Sequence, residues 1–306
     1  MKDLKSNKNI KLAVPNKGRL MQPTLDLLID MGLQFDIQER KLYSPCLNFN
    51  LSLLFLRAKD IPEYVEKGIV DLGITGSDLI EEKEAKINKI LNLGYGKCNL
   101  SLAIPFGSNI KNIEDISKKK IATSFPVLTK KFLRKENIKA DVIEVEGAAE
   151  VTPWIGVADA IVDIVSTGES LAMHNLKPLE TIFNAETVLV ANKNLNGDKK
   201  YDTQKFIDIM EGVLNGRRKK YLMMNAPEST LREIKKIIPG LKSPTILKLA
   251  QPGMIAIHSV VDEDIIWDII PKLKKIGASG ILVSSIEKLI SFEAILFTES
   301  LAKTVT

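Results

Sequence analysis

Short apolar runs alternate with amphipathic stretches along the first two thirds of the chain. Ile10–Val14 and Leu51–Leu56 have the length and apolar content of buried strands. Between them, Leu25, Leu28 and Met31 share one face of a helix. The alternation continues with connections of a few residues, which predicts mostly parallel sheets with helices on both faces.

The pattern changes near residue 200, where residues 201–218 have apolar positions at helical spacing. The order that follows is strand, helix, strand, strand, helix, strand, predicted over Tyr221–Met224, Glu228–Ile238, Thr245–Leu249, Met254–Val261, Asp262–Ile276 and Gly280–Ser284. This order is typical of the ferredoxin-like fold. It predicts a separate small domain of a kind that often serves regulation, with a kink at Pro271 in its second helix.

One apolar run, "DAIVDIVSTGES" (Asp159–Ser170), contains acids and leads into a turn of hydroxyl residues and glycine. A strand-to-helix turn presents unpaired amides, which together with the helix dipole bind anions. Asp163 and Asp159 would then hold sugar hydroxyls beside a phosphate, so the run favours a phosphorylated ribose. The other interpretation is an ordinary helix start, because Ser166-Thr-Gly-Glu169 also fits a capping box.

A second stretch repeats the skeleton D-x-x-x-T-G-x-x-L of this run. It covers Asp71–Leu79, and its partner covers Asp163–Leu171, so the offset is 92 positions (163 − 71). We hypothesise two similar α/β lobes, each presenting such a turn to a shared cleft beyond the carboxyl ends of the strands. Chance similarity is the alternative.

The amino-acid composition excludes several kinds of functional site. The 306 residues suffice for two or three domains, and the two cysteines and two histidines argue against a disulfide framework, a His-rich metal site and a Ser-His-Asp triad. A net charge of +5 and 6% aromatic residues favour anionic small molecules over nucleic acid. No apolar run is long enough for a membrane span, and the first residues do not resemble a secretion signal, so we expect a cytoplasmic protein.

Several segments closely resemble ATP phosphoribosyltransferases, the enzymes that open histidine biosynthesis. The signature is "GVADAIVDIVSTGESLAMHNL" (Gly156–Leu176), and further matches are "NKGRL", "GIVDLGITGSDLI", "KIATSFP", "EGAAEVTPWIG", "KYLMMNAP", "SPTILKLA" and "KKIGASGILVSSIEKL". They cover nearly the whole chain in order. The last three resemble the regulatory domain of the family's long form.

The resemblance implies a two-lobed, periplasmic-binding-protein-like α/β core followed by a ferredoxin-like (ACT-like) βαββαβ domain. We expect lobe I at 1–97 with 183–219, lobe II at 98–182 and the regulatory domain at 220–306. The implied reaction joins ATP to 5-phosphoribosyl 1-pyrophosphate (PRPP) through N1 of the adenine and releases pyrophosphate. Mg²⁺ is the implied cofactor, held through the substrate pyrophosphate and not by direct protein ligands.

The resemblance also implies site residues. Asp163, with Asp159, would face the ribose, and the PRPP phosphate loop would comprise Ser166, Thr167, Gly168, Glu169 and Ser170, with Glu169 only capping. Relatives usually have Thr in place of Ser170, and both residues supply a hydroxyl. The implied ATP residues are Lys17, Gly18, Arg19, Thr75, Gly76, Ser77, Thr123 and Ser124. Without the resemblance, Lys17 and Arg19 would be interpreted as solvent-exposed side chains of a polar turn, and the turn hydroxyls as helix caps.

Long-form relatives are inhibited by histidine and assemble as dimers and hexamers, so we expect both here. Asn225, Ser243 and Thr245 match the histidine-binding region. Asn225 stands where some relatives have an acid, and an amide is a weaker partner for an ammonium group. With the regulatory domain attached, no separate regulatory subunit should be required.

Two other classes of function fit parts of the sequence. One is a two-lobed binding protein for a phosphorylated ligand, without catalysis, since folds of this type also serve binding. The other is a stand-alone regulatory or structural paralogue, which degraded phosphate-loop residues would mark; here they are intact.

Overall fold

The computed structural model describes residues 9–36, 42–165, 169–195, 197–238, 240–241 and 243–290; for 169, 170 and 198 it describes the backbone only. The chain divides into two compact units. The first extends to Thr203 without residues 30–32, and the second comprises those three residues and the chain from Gln204.

The first unit alternates strands with helices, as the apolar pattern predicts. Its strands are β1 (Ile10–Pro15), β2 (Tyr43–Pro45), β3 (Leu51–Leu56), β4 (Leu72–Gly76), β5 (Asn88–Asn92), β6 (Cys98–Pro105), β7 (Lys120–Thr123), β8 (Asp141–Glu144), β9 (Ala160–Val165), β10 (Leu176–Ala185) and β11 (Thr187–Ala191). Its helices are α1 (Met21–Asp30), α2 (Ile61–Glu66), α3 (Ser77–Lys83), α4 (Pro126–Lys135) and α5 (Glu169–Met173).

These strands form two sheets of the same design. The first has the order β2-β3-β1-β4-β11-β5 and the second β10-β6-β9-β7-β8. In the first, β3, β1 and β4 are parallel, β11 is antiparallel to both of its neighbours β4 and β5, and β2 is an antiparallel edge strand beside β3. In the second, β8, β7 and β9 are parallel, and β6 is antiparallel to both of its neighbours β9 and β10. Each sheet with its helices forms one lobe.

Glycines with positive φ end two helices where the sequence places them. Gly32 (φ +82°) follows α1, and Gly68 (φ +67°) follows α2, in a backbone region that only glycine adopts without strain. Both lobes bury aliphatic strands: Leu12 and Ile74 in the first sheet and Leu100 and Ile121 in the second are fully buried.

The chain crosses between the lobes twice, at residues 93–97 and at Glu186. The crossings are joined by hydrogen bonds from the Leu93 amide to the Thr187 carbonyl (2.9 Å) and from the Thr187 amide to the Tyr95 carbonyl (3.1 Å). The expected end of lobe II at residue 182 is therefore corrected, because β10 remains paired with β6 up to Ala185. The end expected for lobe I, residue 219, also differs, because the compact first unit ends at Thr203.

The second unit has the predicted ferredoxin-like order. Helix α6 (Lys200–Arg217) begins in the first unit and belongs to the second from Gln204 on. The other elements of the second unit are β12 (Lys219–Pro227), α7 (Leu231–Ile237), β13 (Thr245–Lys248), β14 (Met254–Asp262), α8 (Ile266–Lys275) and β15 (Ser279–Ser285). The antiparallel sheet has the order β13-β14-β12-β15. Leu222, Ile257 and Leu273 belong to the core between this sheet and its helices.

Two helices of the second unit begin later than predicted. Single 3₁₀ turns at Glu228–Thr230 and Glu263–Ile265 precede α7 and α8. Helix α8 continues through Pro271 to Lys275. Nowhere in the described ranges is there a helix with the length and apolarity needed to cross a bilayer.

Candidate functional site

The parallel strands of both lobes end next to the two crossings. Gly76, the last residue of β4, pairs with Thr187 directly after the second crossing. Val165, the last residue of β9, pairs with Asn99 directly after the first crossing. Because ligands of open α/β sheets bind beyond the carboxyl ends of the strands, both carboxyl edges mark the candidate site.

The two lobes repeat a pairing that identifies equivalent positions. Asp71 donates its amide to the Lys11 carbonyl (3.0 Å) and accepts the Lys11 amide on its carboxylate (2.8 Å). Asp159 makes the same two bonds with Lys120, both at 2.9 Å. Asp71 is therefore equivalent to Asp159 in the structure, an offset of 88 positions (159 − 71). The two lobes are similar, as hypothesised, but the offset of 92 positions, which aligned Asp71 with Asp163, is wrong.

Asp159 is the clearest departure from the expected site. It directly precedes β9, at the amino end, where its carboxylate caps the Lys120 amide and lies 3.8 Å from the Lys119 ammonium. Val165 at the carboxyl end is six residues away, roughly 20 Å along an extended strand. The expectation that Asp159 faces the ribose is therefore corrected: its contacts join β7 to β9.

Asp163 lies near the carboxyl end of β9 and is half-buried. Its Oδ1 accepts a hydrogen bond from the Ile164 amide (2.7 Å). Burial raises the pKa of the Asp163 carboxyl, the Ile164 hydrogen bond opposes this, and the negative charge of Glu150 raises it further. Sequence reasoning did not single out Glu150, whose position in "AEV" has no local signal.

The phosphate loop is only partly described. Ser166, Thr167 and Gly168 lie outside the described residues, as do the side chains of Glu169 and Ser170. The backbone of α5 begins at Glu169 and follows the carboxyl end of β9 after three residues.

The turn after β1 brings Arg19 to the first crossing. Lys17, Gly18 and Arg19 are exposed, and Gly18 has φ +78°. The Arg19 guanidinium donates to the Gly96 carbonyl (2.5 Å) and to Cys98 Sγ (3.0 Å). It also lies 3.9 Å from the carboxylate of Asp78.

Asp78 is a buried acid in the first turn of α3 that the sequence analysis did not select. It is 1% exposed, and its Oδ1 has no hydrogen-bond partner among the described residues. Burial raises the pKa of the Asp78 carboxyl, and the positive charge of Arg19 opposes the rise. In the sequence, Asp78 resembles any acid at a helix start, so no local signal reveals its burial.

The expected turn hydroxyls divide into internal and exposed groups. Thr75 donates to the Ala58 carbonyl (2.8 Å), and Thr123 donates to the Val162 carbonyl (2.7 Å); both are fully buried. Ser77 Oγ accepts the Glu186 amide (3.1 Å). Ser124 is exposed at the carboxyl end of β7. A Cβ on Gly76 would lie 2.1 Å from Asp78 Oδ1, so any other residue at this position would force the Asp78 carboxylate to move.

The expected histidine-binding residues lie in the second unit. Asn225 pairs with Ala256, and Thr245 pairs with His258, two positions further along β14. Asn225 and Thr245 therefore share the sheet face opposite the helices, with β14 between them, roughly 10 Å apart across the sheet. Ser243 is exposed in the segment before β13.

The described ranges contain no group of three or more His, Cys, Asp or Glu side chains placed to hold a metal ion.

Comparisons with known proteins cover both units. A family model described as ATP phosphoribosyltransferase matches residues 57–212, and one described as HisG, C-terminal domain, matches residues 216–288. The chain is 44% identical over 290 residues to an ATP phosphoribosyltransferase of Methanosarcina barkeri (92% of this chain, 99% of that protein). It is 43% identical over 281 residues to one of Bacteroides thetaiotaomicron, with the same coverage.

A solved structure is also similar. It is described as an ATP phosphoribosyl transferase (HisG:HisZ) complex from Thermotoga maritima, with a TM-score of 0.60 and 29% identity. The match covers 67% of this chain and 98% of that chain.

Proposed function

Because the chain belongs to the ATP phosphoribosyltransferase family, we propose how its two lobes carry out that family's reaction. The enzyme is a pentosyltransferase of histidine biosynthesis that transfers the phosphoribosyl group of PRPP to N1 of the adenine of ATP, releasing pyrophosphate. The identity of 44% over 92% of the chain carries this conclusion. The alternative of a non-catalytic binding protein gains no support from the relatives.

PRPP binds at the carboxyl end of β9 in this proposal. Asp163 is the acid at that end, and its half-buried carboxylate would accept hydrogen bonds from ribose hydroxyls. The loop of Ser166–Ser170 would hold the 5-phosphate through backbone amides and hydroxyls, as a strand-to-helix turn can.

ATP binds mainly at the facing edge of the first lobe, with Thr123 and Ser124 of the second lobe beside it. Lys17 and Arg19 would meet its phosphates, since both extend from the exposed turn after β1. Thr75 and Thr123 would shape their turns, because their hydroxyls are already bonded to backbone carbonyls. Ser124 and the backbone of Gly76 and Ser77 remain the turn groups for ligand contact.

Catalysis is mainly electrostatic and geometric. C1 of the ribose gains positive charge as pyrophosphate leaves, so the negative carboxylate of Asp163 beside the ribose and basic groups near the leaving group both lower the barrier. Holding adenine N1 in line with C1 supplies much of the remainder.

Mg²⁺ fits the donor chemistry of this edge, since Glu150 is close enough for its negative charge to raise the pKa of the Asp163 carboxyl. These two carboxylates would hold the hydrated ion indirectly, through water and the substrate pyrophosphate. The ion would neutralise the charge that develops on the leaving group.

Regulation is assigned to the second unit. Its ferredoxin-like fold and its match to the C-terminal family domain support inhibition by histidine at Asn225, Ser243 and Thr245. They also support assembly as a dimer or hexamer, and independence from a separate regulatory subunit. The cytoplasmic location expected from the sequence stays a prediction.

One assay tests the proposal. Purified protein is incubated with ATP, PRPP and Mg²⁺, with and without histidine, and phosphoribosyl-ATP is measured by its absorbance. We expect product without any added protein and less of it with histidine. Binding of PRPP without product would favour the binding-protein alternative, and activity only after adding a partner subunit would contradict the proposed independence.

A further inference from the structure

Helix α4 of the second lobe begins without a cap of its own. The residue at its N-cap is Phe125, whose side chain cannot accept a hydrogen bond, and Pro126 follows at the first helical position. The amides of Val127 and Leu128 therefore have no acceptor within the helix, and buried amides of this kind need one from elsewhere.

Glu82, on helix α3 of the first lobe, supplies both acceptors. Its Oε1 accepts the Val127 amide and its Oε2 accepts the Leu128 amide, each at 2.9 Å. The carboxylate thus caps a helix of the other lobe with both oxygens, where the helix dipole also favours negative charge. Burial raises the pKa of Glu82, and the two amide hydrogen bonds oppose the rise.

The two joined helices are those that start beside the candidate site. Helix α3 follows β4 directly at Ser77, and α4 begins three residues after β7 ends at Thr123. The Glu82 contact therefore connects the lobes close to both carboxyl edges. A second contact between the same helices, Glu84 to Lys131 (2.9 Å), is exposed to solvent.

We propose that Glu82 is a positioning residue that fixes the spacing of the two lobes, and thereby the distance at which ATP and PRPP meet. This rests on the proposed function, which places one substrate on each lobe. Each substrate is held mainly by its own lobe, so loosening the contact leaves both KM values nearly unchanged. The approach of adenine N1 to C1 depends on the spacing, and small misplacement there lowers kcat steeply.

The kinetic test compares Glu82→Ala and Glu82→Gln with Glu81→Gln. Glu81 is adjacent and also loses one charge, but its partner Lys89 (2.9 Å) belongs to the same lobe. We expect kcat to fall about tenfold or more in Glu82→Ala and less in Glu82→Gln, which keeps one acceptor oxygen, with both KM values within about twofold. Glu81→Gln and Glu84→Ala should retain nearly full kcat.

A distance measurement separates positioning from mere stability. Spin labels at position 67 on the first lobe and position 135 on the second, both exposed, report lobe spacing in a Cys46→Ser background, with Cys98 buried. We expect a narrow distance distribution in the parent and a broader one in Glu82→Ala, at a temperature where circular dichroism shows both folded.

Each outcome decides the proposal. An unchanged distance distribution overturns it, as does an unchanged kcat in folded Glu82→Ala, or an equal loss in Glu81→Gln. If the parent protein forms no phosphoribosyl-ATP while Glu82→Ala still broadens the distance distribution, the contact between the lobes is established and the reaction assigned to them is overturned.

Discussion

Three acids of the first unit are removed from solvent by the fold: Asp78 is buried, and Glu82 and Asp163 are half-buried. Burial is the largest influence on each and raises the pKa of all three. A carboxyl group whose pKa is higher in the folded than in the unfolded chain binds more protons when folded. Stability then decreases as the pH rises between the two pKa values. The contribution of these acids to stability is therefore smaller at neutral pH than at low pH, and raised pKa values of this kind are common at functional sites.

Asp163→Asn is the first prediction at this scale. The amide cannot replace a charged acceptor for ribose hydroxyls, a contact of about 1.5–3 kcal/mol, so we expect kcat/KM for PRPP to fall roughly ten- to hundredfold. The melting temperature at pH 7 should rise, because the buried charge is gone. The stability difference should shrink as the pH falls, because wild-type Asp163 is then protonated.

Asp159→Asn is the matched control for that variant. It weakens the cap on the Lys120 amide at the amino end of β9, so it should lower stability by about 1 kcal/mol and leave the kcat/KM of folded protein unchanged. If Asp159→Asn lost PRPP turnover and Asp163→Asn did not, the assignment of the ribose contact would be reversed.

Arg19→Met tests how much the positive charge of Arg19 stabilises the buried carboxylate of Asp78. Without the guanidinium the pKa of Asp78 rises further, since Arg19 is the main influence that lowers it. The variant should lose about 1–3 kcal/mol of stability at pH 8 and progressively less as the pH is lowered, because Asp78 then takes up a proton. Urea unfolding at a series of pH values measures this, and Arg19→Met/Asp78→Asn should remove the pH dependence. A loss independent of pH would contradict the pairing.

At the scale of elements, the start of α4 and the packing of α2 on β4 show how helices of this fold are held. Substituting a helix cap typically costs about 0.5–2 kcal/mol, and for α4 that contribution comes from Glu82 of another helix. On β4, Gly73 lets helix α2 approach closely: a Cβ there would lie 2.6 Å from Ile61 Cγ2 and 2.8 Å from Val65 Cγ2.

Gly73→Ala tests that close packing. The added methyl group must displace α2 or the strand, and overpacking of this kind costs about 1–3 kcal/mol. Gly147→Ala is the control, since a Cβ there meets nothing within 4 Å and the backbone has no positive φ. Thermal unfolding should show a clear loss for the first variant and little change for the second. Equal melting temperatures would refute the packing argument.

At the scale of the whole molecule, two similar lobes, one with a six-stranded and one with a five-stranded sheet, form one unit, and the ferredoxin-like sheet with its helices belongs to the other. The proposed chemistry belongs to the first unit and the proposed histidine control to the second. A functional link between the units is therefore tested by changing only the second and measuring the reaction of the first.

Asn225→Asp provides that test. A carboxylate pairs with the ammonium of histidine more strongly than an amide does, by about 1 kcal/mol, so half-inhibition should need roughly fivefold less histidine. Asn225→Ala should weaken inhibition, and both variants should keep the uninhibited kcat. Titration of histidine in the phosphoribosyl-ATP assay measures the shift. Inhibition that is identical in all three proteins would exclude Asn225 from the histidine site.

The sequence by itself determined the elements, the fold class and the family. Apolar periodicity is a local property of the chain, so strands such as Leu51–Leu56 and the βαββαβ order of the second unit could be predicted from it. The signature around Asp163 was likewise a contiguous segment, which is why the reaction could be predicted before the fold.

Only the tertiary structure decided which polar residues share a location. Asp159 and Asp163 are close in sequence, yet one lies at the amino end of β9 and the other near its carboxyl end. Asp78 looks like an ordinary acid of a first helical turn and Glu82 like an ordinary acid of a last helical turn. Their surroundings depend on Arg19 and on α4, which come from distant parts of the chain. Strand pairing and helix packing set these contacts, and neither is visible in a local pattern of residues.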